Sequence, residues 1–434
     1  MNNAKAFAIL ALALAVLTSS PAGGKVRDTT IRSKTDIRLY QDELGFFQKA
    51  NRDLGDPRFM FSDDGGKYEF GIGGKLSVSG LSGFNGEMDS FDVKFLPSGI
   101  SVPTDYVKSF ASRVSCTLNF KARAKIGKYK VLTFLQIKGN STKDIAINQA
   151  YISLGGFSLG MIPSFFMDLE AGAMSTELAP NNPTDINHTL LGYTHRFKDR
   201  LTVGLALENS TLNLDHYSSE ALVKTDFQPM PDIAGHIKYK WGNGHVQLGL
   251  LYRNLAYWAV ESTTQYSYEG WTGHAQGYGI SLSSNIKPVK DLKISGQFVY
   301  GRGIAEYMPN LSGLNINVGI ADKKHDIYNT MGTIPVCEGM LAAQYNWLGN
   351  WSASVIGGLS HRFDAEGVES YSTFRTSHYI IGNVFYYIKD IAYAGLEYIY
   401  GENHVDICKT DIVQPVDFEK GHANRIILNV VFMF

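Results

Sequence analysis

The sequence predicts an all-β fold, a transmembrane antiparallel β-barrel of about sixteen strands with a short N-terminal periplasmic helical segment. Three observations carry this. From residue 67 onward, segments of about ten residues alternate apolar and polar side chains. The links between them switch regularly between tight turns and long inserts. The last segment, RIILNVVFMF at 425–434, puts Ile426, Leu428, Val430, Phe432 and Phe434 on one parity and Arg425 and Asn429 on the other. Successive side chains of a strand point to opposite faces, so one face is wholly apolar. A closing barrel strand pairs such a segment back onto the first strand and leaves no open edge.

Composition agrees. The chain holds 24 Tyr, 24 Phe and 44 Gly against 19% charged residues, a balance that suits many strands and aromatic girdles. A net charge of −1 and the lack of a basic run give no reason to expect a nucleic-acid partner. Beyond the amino-terminus no stretch approaches the roughly 18 apolar residues of a spanning helix.

Residues 1–22 have the make-up of a secretory signal: Lys5, an apolar run at 6–17, then Ser20, Pro21 and Ala22. Residues 23–62 form the periplasmic segment. Within it Ile37, Leu44 and Asn51 recur every seven residues, interleaved with Tyr40, Phe47 and Leu54. That is an a/d heptad pattern with a polar residue at one a position. So short a helix is marginal alone, and two readings remain open: association of several chains, or packing on the barrel rim. Cys116, Cys337 and Cys408 are too few and too scattered for a disulfide framework or a metal site.

The barrel occupies 63–434. Its clearest segment is 113–126, where Val114, Cys116, Leu118, Phe120, Ala122, Ala124 and Ile126 share one face. Similar segments fall at 68–80, 131–138, 144–154, 157–162, 187–197, 201–209, 233–241 and 245–253. They continue at 278–287, 292–302, 337–347, 351–362, 378–389, 391–401 and 425–434. Tight turns fall at 127–128, 241–244, 287–290, 347–350 and 389–390; long inserts at 81–107, 209–231, 254–273, 303–336, 363–377 and 402–421. Aromatic groups such as Tyr239/Trp241, Tyr252/Tyr257/Trp258 and Tyr345/Trp347/Trp351 gather at strand ends, where interfacial belts lie.

A barrel of this size encloses water, so its inward side chains decide what passes. The polar parity carries Arg113, Lys121, Arg123, Lys138, Lys238, Arg253 and Arg425 as candidate pore-lining bases. Low-dielectric walls focus such an excess of positive charge and enrich small anions inside. The insert 163–183 breaks the alternation, is mildly apolar, and reads as an inward loop that narrows the lumen with Asp168, Glu170 and Glu177. Those carboxylates are expected to face bases on the opposite wall.

The stretch FSLGMIPSFFMDLEAGAMSTELAP at 157–180 resembles the strand and inward loop of the DcaP-type trimeric porins, with Ser164, Phe166, Met167, Asp168, Thr176, Glu177 and Leu178 at matching positions. The heptads at 37–54 are similar to that family's amino-terminal coiled coil. The resemblance implies a sixteen-stranded homotrimer passing small negatively charged solutes such as dicarboxylates. The strand after the loop departs from the family, starting Asn187-His188-Thr189 where Arg or Gln is expected.

The expected function is passive diffusion of small hydrophilic, preferentially anionic solutes across the outer membrane, with membrane lipid as the surrounding partner. The alternative is a non-conducting barrel acting as an adhesin through its long loops. No cofactor or metal is expected: His188, His195 and His361 lack ligand spacing. His404 with Asp406, and His325 with Asp326, lie in inserts without a nucleophile, so no enzymatic activity is expected.

Overall fold

A computed structural model describes residues 59–434 except 64–66, 85–95, 103–108, 128, 141–144, 177–186, 199, 213–222, 225–227, 264–266, 321–330, 348, 369, 371, 389–390 and 407–418. The expected signal and heptad segments at 1–22 and 33–54 lie outside the described residues, as do Glu177, His325 and Cys408.

Alternation along the chain becomes sixteen antiparallel strands. In chain order they are β1 (Tyr68–Phe84), β2 (Ser109–Ile126), β3 (Tyr129–Asn140), β4 (Ile145–Leu154), β5 (Phe157–Pro163), β6 (Asn187–Phe197), β7 (Leu201–Glu208) and β8 (Asp232–Trp241). The second half holds β9 (Gly244–Thr263), β10 (Ser267–Val289), β11 (Leu292–Arg302), β12 (Pro335–Trp347), β13 (Trp351–Arg362), β14 (Phe374–Ile388), β15 (Ala392–Val405) and β16 (Glu419–Met433). Each pairs with the next, and β16 pairs with β1 from Lys75↔Met433 to Phe84↔Asn424, so the sheet closes. Closure removes the edges that a bilayer could not solvate. Phe434 takes part in that seam, exchanging both backbone hydrogen bonds with Gly74. A short strand, Phe59–Ser62, continues the line of β16 against β1, so residues assigned by sequence to the amino-terminal segment already belong to the sheet.

Each strand sends one parity outward. On β16 Ile426, Leu428, Val430 and Phe432 are exposed in the single chain, as are Tyr68, Leu76 and Val78 on β1. A soluble fold would bury these side chains; on a closed barrel they are the surface that hydrocarbon covers. Aromatic rings mark the short-turn rim, where Tyr345, Trp347, Trp351 and Tyr386 follow one another at centroid spacings of 6.3, 6.1 and 4.8 Å.

Two readings of the inserts need correction. The stretch 254–273 is no loop: β9 and β10 stay paired out to Thr263↔Ser267, forming a long hairpin beyond the neighbouring strands. Within it Tyr257 belongs to no girdle, because its side chain is buried and its hydroxyl accepts from the Met331 N–H at 2.9 Å. The stretch 303–336 begins by folding inward. Ile304, Ala305, Tyr307, Met308, Leu311 and Ile316 are all buried, and Val318–Ile320 pairs with Met331–Thr333.

Candidate functional site: the inner wall of the barrel

The inward parity carries the polar residues, and three inserts lie against it. The first starts after β5. Ser164 Oγ and the Phe165 N–H donate to Glu208 Oε1 on β7 at 3.1 and 2.8 Å. His236 on β8 then meets the Phe165 carbonyl at 3.0 Å, and Gln247 on β9 donates to the Met167 carbonyl at 2.9 Å. Lys293 on β11 donates to the carbonyls of Glu170 and Gly172. Asn383 on β14 donates to the Met174 carbonyl, and the Thr176 N–H donates to Glu397 on β15 at 3.0 Å. The insert is therefore fastened to β7, β8, β9, β11, β14 and β15.

Close approach needs small residues on the wall. A Cβ at Gly192 on β6 would fall 2.5 Å from the Phe165 ring, and one at Gly249 on β9 would fall 2.9 Å from the Phe166 carbonyl oxygen. Glycine at those two positions lets the aromatic start of the insert lie on the strands.

Charge anchors the middle of the insert. Asp168 accepts from Lys238 at 2.9 Å, His245 at 2.7 Å and Ser283 at 2.6 Å, and its Oδ1 also caps the Glu170 N–H. Glu170 accepts from Lys238 at 3.1 Å and lies 2.9 Å from Lys240 Nζ. Burial raises the Asp168 carboxyl, but Lys238 and His245 outweigh it and hold the group well below the usual carboxylate range.

The second insert enters between β11 and β12. Tyr307 donates toward Glu208 and Asp232 at 3.2 and 3.0 Å and stacks on His188, ring centroids 4.7 Å apart. Arg253 binds Asp232 at 2.9 Å, the Gly303 carbonyl at 2.8 Å and the Thr211 carbonyl. The third, Pro97–Gly99, joins it: the Ser98 N–H donates to Asn310, and Asn403 on β15 donates to the carbonyls of Ser98 and Ile100 at 3.0 Å. Apolar inward residues complete the packing, with Ala173 set among Met340, Ile356, Ile381 and Ile427.

This divides the seven candidate bases. Arg113, Arg123 and Lys138 keep solvent access on the inner face of β2 and β3. Lys121, Lys238, Arg253 and Arg425 are buried. Lys238 and Arg253 are neutralised by Asp168, Glu170 and Asp232, so they fasten inserts. Asp168 and Glu170 do not look across open water at a distant wall; bases on the strands directly beneath them take up their charge. His188, at the point of departure from the DcaP pattern, is buried under Tyr307.

On β1 to β3 the described charged side chains of the inner face that keep access are Lys75, Arg113, Arg123, Lys125 and Lys138, against Glu69, which sits 3.4 Å from Arg123. Lys75, Thr117 and Lys138 share one row across the three strands. Below that row Gln136 donates to Asn119 at 2.9 Å, giving a neutral polar floor. The two-residue alternation already puts Lys75 on this face; what sequence reasoning missed is the whole role of the second insert. The signal for the latter was present: Ile304, Tyr307, Met308, Leu311 and Leu314 are too apolar for a solvated loop, the same argument that singled out 163–183.

Comparison with known proteins agrees with this architecture. A family model described as a porin subfamily matches residues 101–370. Among solved structures, the outer membrane channel DcaP of Acinetobacter baumannii superposes with a TM-score of 0.66 at 15% identity, covering 86% of this chain and 99% of that one. The anion-selective porin from Comamonas acidovorans gives 0.52 at 11% identity over 85% and 100%. The trimer form of OmpT from Vibrio cholerae gives 0.50 at 11% identity over 85% and 99%. No curated protein matches by sequence. A closed sixteen-stranded barrel with inward-folded inserts, matched over more than half its length by that family model, belongs to the porin subfamily and is a channel protein of the bacterial outer membrane.

Proposed function

We propose that this porin is a passive diffusion channel preferring small anionic solutes, with its water path running along the inner face of β1 to β3. One observation carries the reading: among the described side chains there, the accessible charges are five bases against one carboxylate, and that carboxylate is paired with Arg123. Elsewhere the three inserts cover much of the wall and Lys238 and Arg253 are paired with carboxylates, so a permeating ion meets the basic strip. A low-dielectric surround strengthens its field, favouring anions without a tight binding step. The acids Asp168 and Glu170 leave this field largely unopposed because Lys238, Lys240 and His245 compensate them in place.

The test is electrical. In planar bilayers under a salt gradient, the wild-type protein is expected to reverse at a potential of the sign set by anion flow. R113A, R123A and K138A each move it toward zero, and the triple variant abolishes most of the preference. Unchanged reversal potentials in all three single variants and the triple variant contradict the reading.

We also propose a homotrimer. The similar OmpT structure is a trimer form, and the heptads at 37–54 supply a means of association. Deleting 33–54 is expected to lower the temperature at which trimers dissociate on unboiled gels; an unchanged temperature counts against the heptads. A barrel closed to ions and acting through its outer loops is the second reading, favoured by how fully three inserts pack the remaining lumen. Absence of any conductance from folded protein decides for it.

A further inference from the structure

Outside the lumen, one group of side chains has no part in the channel. It lies on the outward face of β14, β15 and β16 near the long-insert rim, just beyond the exposed Tyr398. Cross-strand pairing sets His378 beside Glu402 and Glu402 beside His422; one step further, Thr376, His404 and Lys420 form a second row. Neighbouring outward residues of these strands are apolar and exposed, such as Ile380 and Ile426, yet the Glu402 side chain is only 6% exposed. It is covered by its own partners. His404 Nε2 lies 2.6 Å from Glu402 Oε1, His378 Nε2 lies 3.6 Å away, Lys420 Nζ lies 2.5 Å away, and the Tyr400 hydroxyl donates to Oε2 at 2.7 Å.

A carboxylate held between two imidazoles on the outer face of the barrel, at its long-insert rim, serves neither packing nor permeation. One ligand atom from each of His378, Glu402 and His404 lies within 4.8 Å of the others. Zinc bound tetrahedrally at about 2.0–2.1 Å sets its ligand atoms about 3.3 Å apart. The His404–Glu402 contact has to open, and His378 has to close in, by side-chain torsions alone. Two neutral imidazoles and one carboxylate match Zn²⁺ and its neighbours and not Ca²⁺ or Mg²⁺, which take oxygen ligands. Tyr400 orients the carboxylate through its second oxygen, the outer-shell support such sites use. Lys420, 53% exposed at the start of β16, supplies the competing cation and has solvent to swing into.

We propose that His378, Glu402 and His404 form a site for one divalent transition cation of the Zn²⁺ class on the outer wall of the barrel, with the Lys420 ammonium as its competitor. The fourth position faces outward, open to water. The site is independent of what the lumen carries.

The experiment is calorimetric titration of ZnCl₂ into the full-length, detergent-folded protein, with unboiled-gel mobility confirming an intact barrel for every variant. Wild type is expected to bind one ion per chain at this site. H378A and H404A each weaken that binding by about 10- to 100-fold or more, and K420Q tightens it by about tenfold. Excess MgCl₂ does not compete. The proposal is overturned if neither wild type nor K420Q binds zinc, or if binding is unchanged in the H378A/H404A double variant.

Discussion

Asp168 has no exposed surface and is bound by an ammonium, an imidazole and a hydroxyl, all from strands of the wall. Removing one partner of such a buried set leaves the others uncompensated, at a cost of about 3–5 kcal/mol. D168N is therefore expected to loosen the first insert and raise single-channel conductance, with more frequent current fluctuation; identical conductance and noise would show that the insert is held by its backbone contacts alone. The pH dependence follows in sign. The folded carboxyl is held below its unfolded value of about 4, so its contribution is fully present above that value and is lost only as pH falls through the folded value. Channel noise should stay flat from neutral pH down to about 4 and rise only in stronger acid. A rise beginning nearer neutral pH would mean that the Asp168 carboxyl does not set the noise. The inward course of 163–183 was legible from its apolar texture, but these partners were not, because Asp168 is 70 residues from Lys238 and 115 from Ser283 and alternation sets no register for an insert.

Elements were legible where a physical period marked them. The sixteen strands follow, over most of their length, the two-residue alternation that a wall between hydrocarbon and a polar interior imposes, and β2 shows it unbroken over 113–126. The period failed in β9 and β10, whose paired ends run out past their neighbours: there hydrocarbon no longer selects one face, so Glu261 and Glu269 stand opposite each other and read as a polar loop. It was also silent about the second insert. That element rests on Tyr307, which ties Glu208 and Asp232 while packing on His188 and Phe166. Y307F removes a hydroxyl shared by two buried carboxylates and is expected to lower thermal stability, with a penalty of about 1–3 kcal/mol, while leaving ion preference unchanged because β1 to β3 are untouched. A melting temperature equal to wild type would mean that the insert is held by apolar packing.

For the whole molecule, net charge is a poor guide. The chain is nearly neutral, and the bases on the inner parity outnumber the acids from sequence alone, but that count treated every inward base as equal. Burial separates them: Lys238 and Arg253 are spent on holding inserts, while Arg113, Arg123, Lys138 and Lys75 keep water. Three inserts lie against the wall of a wide cylinder, and among the described side chains of β1 to β3 the accessible charges are mostly basic. Thiol modification of single cysteines locates the water path. In a background with Cys116, Cys337 and Cys408 replaced by serine, K138C on β3 and Q297C on β11, a buried position whose cross-strand neighbour Ser283 holds Asp168, are each exposed to a small water-soluble thiol reagent during bilayer recording. With water running along β1 to β3, conductance falls stepwise at K138C and holds constant at Q297C; block at Q297C with K138C silent puts the path on the other side of the barrel.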